Sequence, residues 1–134
     1  RTEPLALSRL LGFHVEVYPE RKQAHCVLDA SEVHVNRSGV VHGGISATLL
    51  DTASGVTASL TVDDSGLAPF TTVSLNINYI AAARPGMLRA EGRLSGGGRV
   101  LTFVEGTLTD SEGRLIATST GVFKRLRQRQ REAS

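Results

Sequence analysis

The amino-acid sequence predicts an α+β fold in which a six-stranded antiparallel sheet wraps around one central helix, spanning about residues 43–60. Three features carry this expectation. In residues 43–60, Ile45, Leu49, Ala53, Val56 and Leu60 fall at helical spacings while small residues fill the other faces, so the helix is apolar or small nearly all round. Alternation with a period of two recurs before and after it, the pattern of strands with one buried side. A helix of that kind has to be covered, and the sheet is the only cover available.

Taken in order, residues 4–11 read as a short helix, and residues 13–18 and 24–29 as a hairpin turned through residues 19–23. The central helix follows. In residues 72–79, Val73, Leu75, Ile77 and Tyr79 alternate with Thr72, Ser74, Asn76 and Asn78, which sets the first group on a buried face. Residues 88–94 alternate Leu88, Ala90, Gly92 and Leu94 with Arg89, Glu91 and Arg93. Residues 100–109 and 115–124 supply two further strands, and the glycines at 96–98 and the turn at 110–113 separate the last three. These four strands are expected as a C-terminal meander.

With 134 residues, 40% hydrophobic and 21% charged, the chain is long enough for one core and too short for two ordinary domains, so residues 1–134 are read as a single domain. The one weakly charged stretch of membrane length, about residues 40–60, holds too many Ser, Thr and Gly residues, and an Asp, to read as a span. No signal peptide is recognised, and a lone cysteine, Cys26, excludes an internal disulfide or a Cys-rich zinc site; a reducing, cytoplasmic setting is expected. The net charge of +2 is concentrated in a basic tail at residues 125–134, where Arg125, Arg127, Arg129 and Arg131 recur at every second position. With 4% aromatic residues there is no stacking platform beside that charge, and neither nucleic acid nor membrane is expected as a partner.

Between Val40 and Val62 the only formal charge is Asp51, near the middle of the central helix. Burying a carboxylate costs several kcal/mol unless it is bonded or neutralised. Folding alone would favour Ala or Leu there, so Asp51 is read as functional, with bonding to Thr52 or Ser54 as the structural alternative. Just upstream, His42, Gly43 and Gly44 open the helix, where amide N–H groups lack partners and the helix dipole favours negative charge. That end suits the polarisation of a carbonyl oxygen. Asn36 and Thr72 are candidates to orient a water or the carboxylate, or else a turn-former and a surface strand residue; His42 either bonds the reacting group or braces its loop. His14, His25 and His34 show no metal-ligand spacing, and no metal or cofactor is expected.

Gly43 and Asp51 stand eight positions apart, roughly 12 Å along a helix axis, so one chain does not bring both to one carbonyl carbon. Two helices antiparallel across a two-fold axis would do so, forming two equivalent composite sites and covering an open sheet edge of each copy.

These residues resemble the hotdog-fold thioesterases, in particular the phenylacetate-degradation (PaaI-like) and 4-hydroxybenzoyl-CoA thioesterase branch with an acid on the central helix. The resemblance rests on Asn36, Gly39, His42, Gly43 and Gly44 with Thr48 to Asp51, then Thr72 to Tyr79, Ala83 to Gly86, and Gly113 to Ala117, and it covers about residues 11–124. It implies a homodimer with a continuous sheet, commonly paired into a tetramer, acting on an acyl-CoA substrate. It further implies that the Gly43 amide bonds the thioester carbonyl, that Asp51 of the other subunit is nucleophile or general base, and that Asn36, His42 and Thr72 position substrate and water. Arg84 and the Gly97, Gly98, Arg99 turn become candidates for contacting the CoA moiety. Because the family uses either Asp or Glu as its acid, Asp51 does not identify the acyl group.

Two other readings share the fold. A hydratase or dehydratase of acyl thioesters usually pairs its carboxylate with a histidine in a local pattern absent here, and a non-catalytic acyl-CoA-binding module gains little from a buried carboxylate. No Gly-x-Ser-x-Gly elbow supports serine-hydrolase chemistry.

Overall fold

The structure is a computed structural model and describes residues 5–127. The first helix, α1 (Ala6–Leu11), ends at Gly12, whose left-handed φ of 92° lets its N–H return to the Ser8 carbonyl at 2.7 Å. Strands β1 (His14–Tyr18) and β2 (Gln23–Ala30) form the first hairpin. The central helix, α2 (Gly43–Ser59), is followed by β3 (Phe70–Tyr79), β4 (Gly86–Gly97), β5 (Leu101–Asp110) and β6 (Leu115–Arg125). All six strands join one antiparallel sheet in the order β1-β2-β4-β5-β6-β3. This is the expected helix in a six-stranded sheet.

The expected four-strand meander holds only for β4, β5 and β6. Strand β3 lies at the far edge beside β6, and β4 pairs with β2 instead. The link between Tyr79 and Gly86 therefore passes three strand positions. Its six residues reach roughly 20 Å when extended, against roughly 14 Å for three strand spacings. Bonds from the Ile80 and Ala81 amides to the Ile116 carbonyl, and from the Val41 amide to the Ala83 carbonyl, hold the link beneath the start of α2.

One side of α2 builds the core. Leu49, Leu50 and Ala53 are at most 1% exposed and pack with Cys26, Leu28, Leu88, Ala90, Leu108 and Ile116 from the sheet. The helix comes unusually close to the strands: a Cβ at Gly92 would stand 2.9 Å from the Ala53 carbonyl oxygen, and one at Gly106 would run into Ser119 Oγ and stand 3.1 Å from Leu50. The sheet does not enclose the helix on all sides as the sequence suggests. The face carrying Asp51, Thr52, Gly55 and Val56 is only half-buried in the single chain.

Strand β3 holds a second departure from simple alternation. Thr72 pairs with Phe123 and Ser74 with Val122, leaving Val73 as an extra, bulged residue. The bulge reverses the facing upstream of it. Thr72 turns toward α2 with Leu75 and Ile77, while Val73 is 56% exposed.

Residues 128–134, with Arg129 and Arg131 of the expected basic tail, lie outside the described residues. Among the described residues no helix is long and apolar enough to cross a membrane.

Candidate active site

Asp51 sits in the third turn of α2 on its half-buried face, and Thr72 Oγ donates to its Oδ1 at 2.7 Å. The half-exposure corrects the expectation of a deeply buried charge. The two side chains lie at one cavity of about 410 Å³, whose walls include Phe13, Val56, Phe70 and Phe123. Three of the four phenylalanines of the chain thus surround the space beside Asp51, the only formally charged residue among those lining it. Such an arrangement suits an apolar group with its reactive carbon at the acid.

At the start of α2, His42 is the N-cap: its Nδ1 accepts the Gly44 N–H at 2.8 Å. The Ile45 and Ser46 amides return to the His42 carbonyl. The Gly43 N–H has no partner among the described residues. Of the orphan amides at this terminus, the one expected to meet a carbonyl is the one left open. The Gly43 carbonyl is held by Tyr79, whose phenol donates to it at 2.7 Å. The alternation predicts Tyr79 as a buried strand residue; it is 55% exposed, and its phase with Ile77 directs the ring to the helix start.

Asn36 forms a tight turn. Its Oδ1 accepts the Ser38 and Val40 amides at 2.9 and 3.2 Å, and its carbonyl accepts the Gly39 amide at 3.0 Å. Asn36, Gly43 and Tyr79 line a second cavity of about 370 Å³. Within one chain, then, Asp51 and Thr72 line one cavity, while Gly43 and Asn36 line another.

The loop carrying these residues is braced by His34, which is 5% exposed. Its Nδ1 accepts the Ser31 amide at 2.9 Å, which leaves Nε2 to donate to the Leu11 carbonyl at 2.7 Å, while its own carbonyl accepts the His42 amide. His34 thereby ties the end of α1 to the helix start.

The residues expected to contact CoA are not gathered in one chain. Arg84 is exposed on the link beneath the start of α2. Gly97, Gly98 and Arg99 form the exposed β4–β5 turn, and Arg99 shares a cleft of about 610 Å³ with Arg125 and Arg127 beyond the other end of the helix. A 17-residue helix separates the two places by roughly 25 Å. Among the described residues no three His, Cys, Asp or Glu side chains converge as a metal site would require.

Residues 38–117 match the model of a family described as the thioesterase superfamily. The chain is 32% identical over 118 residues to human acyl-coenzyme A thioesterase 13, covering 87% of this chain and 82% of that protein. Its mouse counterpart is 35% identical over 94 residues, 69% of this chain and 65% of that one. Among solved structures, a Bacillus halodurans protein crystallised with CoA superimposes with a TM-score of 0.84 at 30% identity, covering 96% of this chain and 83% of its own. A phenylacetic acid degradation-related protein from Ralstonia eutropha superimposes with a TM-score of 0.79 at 29% identity, covering 91% and 92%.

Proposed function

The chain belongs to the thioesterase superfamily, and from that premise we propose that it hydrolyses acyl-CoA thioesters at composite sites shared by two copies of the chain. The observation that carries this reading is that Asp51, bonded by Thr72, lines one apolar cavity, while Gly43, whose amide has no partner among the described residues, lines a different cavity of the same chain. Two copies related by a two-fold axis would each supply what the other's cavity lacks. The free edge of β3, with Val73, Tyr79 and Ile80 more than half exposed, is the edge over which such copies would join their sheets. Pairing of two such dimers would give the tetramer common in the family.

In the proposed reaction the acyl group enters the Asp51 cavity, and Gly43 of the partner subunit donates its N–H to the thioester oxygen. That bond strengthens as negative charge develops there. Asp51 then acts in one of two ways. As nucleophile, its carboxylate adds to the carbonyl carbon, the C–S bond breaks, CoA leaves as thiolate, and water hydrolyses the resulting anhydride. As general base, it takes a proton from water as the water oxygen adds to the same carbon; the tetrahedral intermediate then breaks its C–S bond and CoA leaves as thiolate. Both routes yield the free acid and CoA, with Thr72 holding the carboxylate in register. The guanidinium groups at Arg99, Arg125 and Arg127, with Arg84 at the other helix end, are cations available to the CoA phosphates.

The test is thiol release from a panel of aryl-, arylacetyl- and fatty acyl-CoAs by the wild-type protein and by Asp51→Ala. Turnover by the wild type that falls at least 100-fold in the variant supports hydrolysis. Tight acyl-CoA binding by the wild type without turnover would reassign the chain as a binding module.

A further inference from the structure

The helix residues beside the Asp51 cavity are Asp51, Thr52, Gly55, Val56 and Ser59, a single stripe that runs from the acid toward the C-terminal end of α2. The stripe spans eight positions, roughly 12 Å of helix axis. Gly55 lies at its middle, one turn beyond Asp51 on the same face.

Nothing in the fold of the single chain requires glycine there. Gly55 has no positive φ, and a Cβ built on it would meet only the Phe123 ring, at 3.8 and 4.0 Å, which is ordinary contact. Gly92 and Gly106, on the strands behind the helix, differ in this respect: a methyl group at either would collide with α2 or its neighbours. Glycine is also the least favourable residue in a helix interior after proline, so an alanine that fits is expected to stabilise the helix. A position that gives up helix stability without a packing or backbone reason, and that borders the cavity next to the acid, is open for what the cavity holds.

We infer that Gly55 is a specificity-determining residue: its missing side chain leaves room for an uncharged acyl group to lie along α2 past the first turn beyond Asp51. The inference rests on the hydrolytic reading above and names the extent of its substrate. Any side chain at position 55 blocks the stripe roughly 6 Å from the acid, so acyl groups that stop short of it are accommodated and longer ones are turned away.

The test compares wild type, Gly55→Ala and Gly55→Leu on straight-chain acyl-CoAs from acetyl to dodecanoyl, with melting temperature and molar mass by light scattering for each protein. The quantity read is the ratio of kcat/KM for long over short acyl groups. It is expected to fall progressively, by about tenfold or more in Gly55→Leu. Gly55→Ala is expected to melt a few degrees higher than wild type. A ratio unchanged in Gly55→Ala and Gly55→Leu, with wild-type turnover intact, overturns the inference and leaves hydrolysis standing. A lower melting temperature for Gly55→Ala overturns it as well, by showing that the methyl group does not fit. Loss of the assembled state in Gly55→Ala would assign the glycine to subunit packing, again against it. Absence of wild-type turnover on every thioester would instead remove the hydrolytic reading itself.

Discussion

Thr72 Oγ donates to Asp51 Oδ1 at 2.7 Å across 21 residues of sequence, and the contact exists because Val73 bulges out of β3. Without the bulge, the alternation of the strand would turn Thr72 to the outer face with Ser74 and Asn76. A single extra residue thus aims a hydroxyl at the one carboxylate of α2. A hydrogen bond to a charged group contributes about 1.5–3 kcal/mol, and the half-exposed position puts this one near the lower bound. Thr72→Val is therefore expected to lower kcat on the order of tenfold, while Thr72→Ser, which keeps the donor, stays within about threefold of wild type. Steady-state thiol release checks both, and equal losses in the two variants would show that packing matters and the hydroxyl does not.

Tyr79 offers a comparable test at the other half of the site. Its phenol fixes the Gly43 carbonyl, and a Cβ at Gly43 would stand 3.4 Å from its ring. Tyr79→Phe keeps the ring and removes the donor. A neutral hydrogen bond is worth about 0.5–1.5 kcal/mol, so kcat is expected to fall about two- to tenfold with little change in KM. An unaltered kcat would mean that the helix start needs no such anchor.

Which parts of this arrangement the sequence could reveal follows from the kind of signal each leaves. The central helix and its acid were legible because a charge stands out in a run of small and apolar residues. Alternation marks the faces of a strand and is silent on its neighbours, which is why β3 was placed in a meander and not beside β6. The bulge at Val73 was equally invisible, since Thr72 to Tyr79 alternates without a break. Ser, Thr, Ala and Gly suit both a tight helix–sheet contact and an open cavity wall, so the half-exposed face of α2 could not be told from the buried one. Arg84 and Arg99 looked alike as basic residues near glycines, yet the chain places them beyond opposite ends of α2.

The outer face of β1, β2 and β4 contributes to the response to acid. The Arg89 guanidinium donates to Glu16 at 2.8 Å, and chiefly through that bond the Glu16 carboxyl is lowered to about 2. Burial, opposed in part by Glu91, pushes the His25 imidazole below its ordinary 6.5. For His25 the unfolded chain binds the proton first as pH falls, so stability declines on going below pH 6.5. For Glu16 the stabilisation is complete above its ordinary value of 4.5 and is lost as pH falls from there toward 2. Both effects make the protein less stable in acid, Glu16 by about 1 kcal/mol given its contact with solvent. Melting temperature against pH is expected to show two steps, with His25→Gln flattening the upper and Glu16→Gln the lower. A profile that His25→Gln leaves unchanged would exclude the upper assignment.

The composite site can be tested by complementation. Gly43 is the first residue of α2, a position where proline is tolerated because its missing N–H serves no bond within the helix. His42, at φ −59° and ψ 137°, already has the extended backbone that a following proline prefers. Gly43→Pro is thus expected to fold and to lose only the open amide, lowering kcat by about 10²–10³. Asp51→Asn removes the acid from the other half. If each site draws one residue from each copy, a hybrid of the two variants carries one doubly damaged site and one intact site. Random pairing makes half the dimers hybrid, so co-expression is expected to restore about a quarter of wild-type activity from two nearly inactive parents. Sites confined to single chains would recover nothing, and thiol release by the co-expressed mixture against the parents decides between them.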